Sequence, residues 1–433
     1  MSAPAADFLP PEDIAARVRA RWPVQAAHVA AHSPFFQALW NGARPPDRLE
    51  DLPELPLCDK AMLRASQAAH PPFGDYLAAP EDAVARLHRT SGTTGQAMNL
   101  ALSAADARLT AEIGGRAQAA AGLGPGHRVV HCLNYRMWMG GLTDHLTLEA
   151  TGATVIPFGV GGSAALIRTI RELGVTAISC TPSYPAVLET VIAENFPGLA
   201  PRDLGLRLGL FGGEAGLDNA EFRDRIEAVW GFKARNANYG VSDVLCNFAG
   251  QCGETGDLHF VGWDVLHAEL IDPESGAPRP WRAGEQGELV LTHLAKECQP
   301  LVRFRSGDVL RLTAIDPCAC GRTVPRFRVI GRADDMVVVR GINVFPTMLA
   351  AVLNARSELN GEYRIVLDGP GPYDVLPVEA ECAPDCEAAA RPEAVAEAIK
   401  QALGVTARVS LLPPQSLPRT AGKTARVIRR EQP

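Results

Sequence analysis

Between Val129 and Trp230, short apolar runs alternate with longer segments of helical apolar spacing, and few folds accommodate that order. Val129–Leu133 and Thr154–Phe158 read as strands. Ser163–Leu173 has helical spacing and leads into the strand candidate Val175–Cys180. Tyr184–Phe196 reads as a helix, Leu206–Phe211 as a buried strand and Asn219–Trp230 as an amphipathic helix. Repetition of strand, helix and strand predicts a largely parallel sheet covered by helices. Upstream of residue 85 the chain reads as helices joined by proline-rich turns (Pro45-Pro46, Pro53, Pro56, Pro71-Pro72). After Leu258 the pattern changes. His267–Ile271, Gly287–Leu294 and Val302–Leu312 predict strands joined by turns, which suits an antiparallel subdomain. From about Asp335 a shorter run of strands and helices predicts a small α+β domain. At 433 residues the chain exceeds one ordinary core. The expectation is an α/β protein with a large N-terminal domain, 1–333, of helix-covered sheets plus the antiparallel subdomain. A small mobile α+β domain, 334–433, follows it.

Charge and hydropathy exclude several partners. The net charge is −7, and no basic tail or Lys/Arg run is present, so nucleic acid is not an expected partner. No apolar run reaches membrane-spanning length. Met1–Pro10 lacks the charged-then-apolar order of a secretory signal, so the expected location is the cytoplasm. In that compartment the ten cysteines read as thiols or metal ligands rather than disulfides.

The first chemical feature is His88-Arg89-Thr90-Ser91-Gly92-Thr93-Thr94-Gly95-Gln96. Gly92 and Gly95 allow the backbone to turn closely around an anion, and the hydroxyls of Thr90, Ser91, Thr93 and Thr94 can hold phosphate oxygens. The spacing is not that of a Walker loop, and taken alone the segment reads equally as a polar turn. Further along, Phe211-Gly212-Gly213-Glu214 and Asn238-Tyr239-Gly240-Val241-Ser242-Asp243 each end a strand candidate. Ser306-Gly307-Asp308 follows a third. Gly331-Arg332-Ala333-Asp334-Asp335 opens the C-terminal region, continuing to Arg340-Gly341-Ile342-Asn343-Val344-Phe345-Pro346. Leu417-Pro418-Arg419-Thr420-Ala421-Gly422-Lys423 stands near its end. In this order the set resembles the adenylate-forming enzymes: acyl-CoA synthetases, peptide-synthetase adenylation domains and luciferases. The run Arg340–Pro346, with Thr181-Pro182-Ser183-Tyr184, Gly152–Pro157 and Ser33-Pro34-Phe35-Phe36, resembles the phenylacetate–CoA ligase branch in particular.

The resemblance implies ATP-dependent activation of a carboxylic acid through an acyl-adenylate, followed by thioester formation. It implies that Ser91, Gly92, Thr93, Thr94 and Gly95 hold the β- and γ-phosphates, with Gln96 where the family commonly has Lys. Tyr239 would stack on adenine beside the Gly213–Glu214 backbone; taken alone it reads as a half-buried aromatic at a strand end. Asp308 would accept from the ribose hydroxyls, as one carboxylate can from a vicinal diol; its bland reading is a Gly-Asp turn. Asp243 stands where the family usually has a magnesium-ligating Glu. Asp is competent for Mg2+ but a methylene shorter, and reads otherwise as a turn acid. Arg332 would contact the nucleotide and Asp334 would be the hinge. Lys423 would bridge the acid's carboxylate and the α-phosphate. In the family its domain swings after adenylation to present a different face for thiolation.

Two further readings rest on the same resemblance. Cys252 and His259, with Cys318 and Cys320, match the ligand pattern of related ligases and imply a closed structural Zn2+ site. Cys246 is a substitute ligand, and Cys382-x3-Cys386 reads as incidental. Asn134–Gly141 is unusually aromatic and occupies the region that lines the acyl pocket in the relatives. Tyr135 and Trp138, with Gly240, are the substrate-contact candidates, equally open to a packing role. An aryl or arylacetic acid is the expected substrate. The default acceptor is CoA, then a carrier-protein phosphopantetheine arm, then an amine. A nucleotide-binding protein without turnover is a separate reading, opposed by Lys423, Asp308 and Arg332. A homodimer is a family expectation.

Overall fold

The computed structural model describes residues 5–90, 97–214, 217, 220–369, 371, 373–384, 391–418 and 426–430. The chain divides into two compact units, residues 1–306 with 311–328, and residues 307–310 with 329–433.

In the first unit the alternating region forms parallel strands Arg128–His131, Thr154–Pro157, Ala177–Cys180, Leu208–Gly212 and Lys233–Val241. Ala177–Cys180 and Leu208–Gly212 are buried throughout and Arg128–His131 nearly so, as expected where helices cover both faces, while the edge strand Thr154–Pro157 is partly exposed. Helices Ser163–Glu172, Tyr184–Asn195 and Ala220–Trp230 pack on them. Phe211, Trp230 and Phe232 centre that core with Ile167, Ile170 and Leu188, each such side chain contributing about 1.5–3 kcal/mol on burial.

The expected antiparallel strands are present, but they continue the parallel sheet instead of forming a separate one. Lys233–Val241 turns back as Leu245–Gln251, antiparallel, with Tyr239 opposite Ala249. Leu258–His259 pairs with that strand in turn. The sheet runs on through Arg326–Arg332, Phe304–Ala314, Gln286–His293, Leu266–Ile271 and the short edge strand Pro278–Arg279, giving twelve strands in one order. Two helices had no clear sequence signal. Ala104–Ala120 starts at a capping box between Ser103 and Asp106. Met139–Glu149 packs along it. A separate hairpin pairs Val84–Arg89 with Asn99–Ser103, Arg89 opposite Asn99.

The second unit holds the hairpin of Val337–Val339 and Ile342–Val344. Its two-residue turn is Arg340-Gly341, both at positive φ (48° and 79°), which suits a primed turn matched to strand twist. A four-stranded mixed sheet follows, in the order Ala407–Leu412, Leu376–Cys382, Leu359–Asp368, Val427–Arg430. Helices Pro346–Asn354 and Pro392–Leu403 bury Leu349, Leu353, Val395 and Ile399 against it. Among the described residues no helix is long and apolar enough to cross a membrane.

Candidate functional site

Parallel strands place their carboxyl ends side by side, and in open α/β sheets that edge is where ligands sit. Ala177–Cys180 delivers Thr181 there, Leu208–Gly212 delivers Gly213 and Glu214, and Lys233–Val241 carries Tyr239 and Gly240. Glu214 Oε2 accepts from the Ser183 amide at 3.4 Å, tying two of these strand ends together. The Tyr239 ring stands edge-on to Phe248 and Phe327, each 5.3 Å between centroids, and is half-buried. Gly240 lies against the Leu245 and Cys246 carbonyls, where a side chain would collide with backbone.

Asp243 is buried, and its Oδ2 accepts from Lys60 Nζ at 2.8 Å. Lys60 opens helix Lys60–Ala69, whose N-cap Asp59 accepts from the Met62 amide. The other oxygen, Asp243 Oδ1, is buried with no hydrogen-bond partner among the described residues. One spare carboxylate oxygen is the donor that a magnesium ion shared with phosphates requires, so the residues fit that ion.

Trp138 and Tyr135 occupy the connection into helix Met139–Glu149. The Trp138 indole lies over Gly140, where an added Cβ would sit 2.7 Å from the ring, and reaches to 4.0 Å from the corresponding position on Gly213. Tyr135 turns to other neighbours. Its hydroxyl pairs with His145 Nδ1 at 2.9 Å, and its ring stands edge-on to His131. His131 Nε2 reaches the Gly140 and Gly141 carbonyls at 3.1 Å, and burial pushes the imidazole down to about 4, so it is neutral. A neutral ring donating to these carbonyls fixes the helix start beneath Trp138.

In the second unit Arg332 joins two of the expected residues. Its Nη1 donates to Asp308 Oδ1 at 3.0 Å and its Nε to Asp334 Oδ1 at 2.8 Å. Burial opposes the Arg332 charge, but Asp334 and Asp308 outweigh that and raise its pKa. Ser91, Gly92, Thr93, Thr94, Gly95, Gln96 and Lys423 lie outside the described residues.

Cys252, His259, Cys318 and Cys320 converge, their ligand atoms all within 4.8 Å of one another. Cys252 and Cys318 sulfurs are 4.0 Å apart, near the roughly 3.7 Å spanned by two thiolates on one tetrahedral zinc. Cys320 Sγ lies 3.5 Å from His259 Nε2, while His259 Nδ1 is buried without a partner among the described residues. Burial lowers the His259 pKa to about 4, leaving a neutral imidazole able to bind metal. The set fits a closed four-ligand zinc. Cys246 is not part of it; its thiol lies beside Asp144. Cys382 is buried in the second unit, and Cys386 is outside the described residues.

A profile of AMP-binding enzymes matches residues 37–294, and one of the AMP-binding enzyme C-terminal domain matches residues 341–430. The chain belongs to the AMP-binding enzymes. This AMP-binding enzyme is 34% identical over 455 aligned residues to phenylacetate-coenzyme A ligase of Thermus thermophilus, covering 99% of each chain. It is 34% identical to the Pseudomonas putida phenylacetate-coenzyme A ligase, covering 94% of this chain and 92% of that one. Among solved structures it is similar to 2-hydroxyisobutyryl-CoA ligase in the postadenylation state in complex with 2-HIB-AMP. The TM-score is 0.86 at 30% identity, with 99% of this chain and 94% of that one covered. The family read from the ordered motifs is therefore the family of the chain, an AMP-forming acid–thiol ligase family. Sequence reading missed Lys60 and Asp144, and it placed Asn238 in a motif without a role of its own. Lys60 is 183 positions from its partner and Asp144 is 94 from its own, and no local pattern signals such pairs.

Proposed function

We propose that this AMP-binding enzyme activates an aryl or arylacetic acid with ATP and transfers the acyl group to CoA. The observation that carries this is full-length correspondence with phenylacetate-coenzyme A ligases, 99% of both chains in one case. Tyr239, Gly213 and Glu214 standing together at one strand edge supports it.

In the first half-reaction a carboxylate oxygen bonds to the α-phosphorus of ATP while the bond to the pyrophosphate oxygen breaks. In the second, the CoA thiol loses its proton, the sulfur bonds to the acyl carbonyl carbon, and AMP leaves. Catalysis here is positioning and charge stabilisation. Tyr239 stacks on adenine beside Gly213 and Glu214. Asp308, oriented by Arg332, accepts from the ribose hydroxyls. Ser91, Gly92, Thr93, Thr94 and Gly95 hold phosphate oxygens, and Lys423 neutralises the charge developing between carboxylate and α-phosphate. Asp334 is the hinge, which sets a large domain of residues 1–333 and a mobile one of 334–433. Trp138, Tyr135 and Gly240 line the acyl side. Asp243 Oδ1 would hold Mg2+, which when bound screens the phosphate charge. Cys252, His259, Cys318 and Cys320 would hold a structural Zn2+; four protein ligands leave no open position for chemistry. Because ATP and CoA are its co-substrates, we place the reaction in the cytoplasm.

The test is pyrophosphate release from ATP over aryl and short aliphatic acids, with and without CoA. Acid-dependent release that turns over only with CoA supports the reading. Release stopping at one enzyme equivalent whether or not CoA is present assigns a different acceptor, and no release with any acid refutes it.

A further inference from the structure

Helix Met139–Glu149 buries a carboxyl that the reaction described above does not use. Asp144 is 3% exposed. It lies four residues after Gly140, hence on the same helix face, and Gly140 is the position that the Trp138 indole covers. Its Oδ2 accepts from Asn238 Nδ2, and the Cys246 thiol faces the same carboxyl. Neither neighbour is a cation. Oδ1 has no nitrogen or oxygen donor among the described residues.

The surroundings place this carboxyl against both halves of the proposed site. Asn238 immediately precedes Tyr239 and Gly240, and its Cβ is 2.6 Å from where Gly212 would carry one. Cys246 faces Gly240 across the strand pair. Trp138, Gly140, Asp144, Asn238 and the Gly212-Gly213 strand end therefore make one continuous wall. That wall is apolar and aromatic at Trp138 and carboxylic at Asp144.

A half-satisfied buried carboxyl needs an explanation, because an apolar residue of similar size would serve an unsubstituted hydrocarbon better. Burial lifts Asp144 to about 7, against the hydrogen bonds from Asn238 and Cys246, which lower it. Such a group is costly until something supplies a donor, and the wall it belongs to is the one where the acyl group would lie.

We propose that Asp144, oriented by Asn238, forms the polar end of the acyl subsite and selects acids bearing a hydrogen-bond donor, an amine or hydroxyl, remote from the reacting carboxylate. This rests on the ligase reading given above. Asp144 accepts from the substituent through Oδ1 while Asn238 keeps Oδ2. A site built around a hydrogen bond rejects analogues lacking it far more strongly than an apolar pocket rejects a size change, because the buried partner is left unpaired.

The experiment measures kcat/KM for pyrophosphate release with benzoate, 3-aminobenzoate, 4-aminobenzoate, phenylacetate and 4-hydroxyphenylacetate. It compares the wild-type chain with Asp144→Asn and Asp144→Ala. Wild type is expected to prefer the best amino- or hydroxy-substituted acid over its parent by about 10- to 100-fold. Asp144→Ala is expected to abolish that ratio. If the alanine variant does not fold, Asp144→Asn, which keeps the shape but has a single acceptor oxygen, the one Asn238 uses, should lose the preference for either substituent. Either preference supports the proposal, because the ring amine of an aminobenzoate is uncharged near neutral pH and donates a hydrogen bond as a phenol does. Equal use of parent and substituted acids by wild type overturns the proposal while leaving the ligase intact. So does a parallel loss for all acids in both variants, which would make Asp144 a purely structural group. Silence with every acid overturns the ligase reading and the proposal with it.

Discussion

Replacing Asp144 by Asn should change how stability responds to pH, in a direction fixed by burial. In the folded chain desolvation holds the carboxyl at about 7, whereas an unfolded Asp titrates near 3.8. The folded state therefore binds the proton more tightly. The stabilisation this gives is fully present below about 4 and is lost as pH rises through about 7. From pH 5 to pH 8 the wild type crosses roughly two pH steps of that window, each about 1.4 kcal/mol, or about 3 kcal/mol in all. Asn has the same shape and no charge, so the variant escapes this loss. The first unit has about 320 residues, and unfolding entropy near 2 cal/mol/K per residue converts about 3 kcal/mol into about 4 °C. Melting curves of both proteins, recorded by fluorimetry at one scan rate from pH 5 to pH 8, give the difference directly. The variant should gain about 4 °C relative to wild type as pH rises. All other titrating groups cancel in that difference. A difference that stays constant over the range would show that the carboxyl ionises alike in folded and unfolded chains, and the account of its burial would fail.

Other outcomes test the remaining assignments. Lys423→Ala should suppress adenylation far more than thioester formation from preformed acyl-adenylate, and equal loss in the two half-reactions, read by single-turnover assays, would refute its role. Cys318→Ser should lower bound zinc by elemental analysis and cost about 4 kcal/mol of stability, since it breaks a four-ligand set; unchanged zinc would remove the site. Asp243→Glu should retain magnesium-dependent pyrophosphate release, because it restores a longer carboxylate with the same donor; complete loss would assign Asp243 another task.

Legibility from sequence followed the range of the interaction. Helix Ser163–Glu172 and helix Tyr184–Asn195 end within a residue of their expected limits, because apolar residues on one face alternate with polar ones on the other. Helix Ala104–Ala120 escaped that reading because its buried face is built of small residues. Gly114 and Gly115 fit against Thr147 and Ala150, a contact that demands smallness rather than hydrophobicity and leaves no periodic signal. The twelve-strand order was likewise invisible: whether an antiparallel run continues a parallel sheet is decided by the hairpin at Val241–Leu245, not by composition. The cluster of Cys252, His259, Cys318 and Cys320 was legible as two close pairs. Asp144 was not, since a lone helical Asp looks like a solvated surface charge until Asn238 and Cys246 are seen to enclose it.

Two buried acids of the first unit are set apart by their company. Asp243 has an ammonium 2.8 Å away and one spare oxygen, an arrangement suited to sharing a divalent cation. Asp144 has an amide and a thiol and one spare oxygen, suited to a donor that arrives with the acid. Environment thus divides like groups between roles, as it does for paired carboxylates in other enzymes. Lys60→Met keeps the aliphatic stem and removes the charge, leaving Asp243 buried with no cation of its own. The variant should lose about 1–2 kcal/mol at neutral pH, less than for a fully buried pair because the Lys60 side chain is 36% exposed. A variant as stable as wild type in urea denaturation at neutral pH would show that Lys60 does not stabilise the buried Asp243 carboxylate. The spare oxygen of Asp243 would then have no claim to a metal on electrostatic grounds.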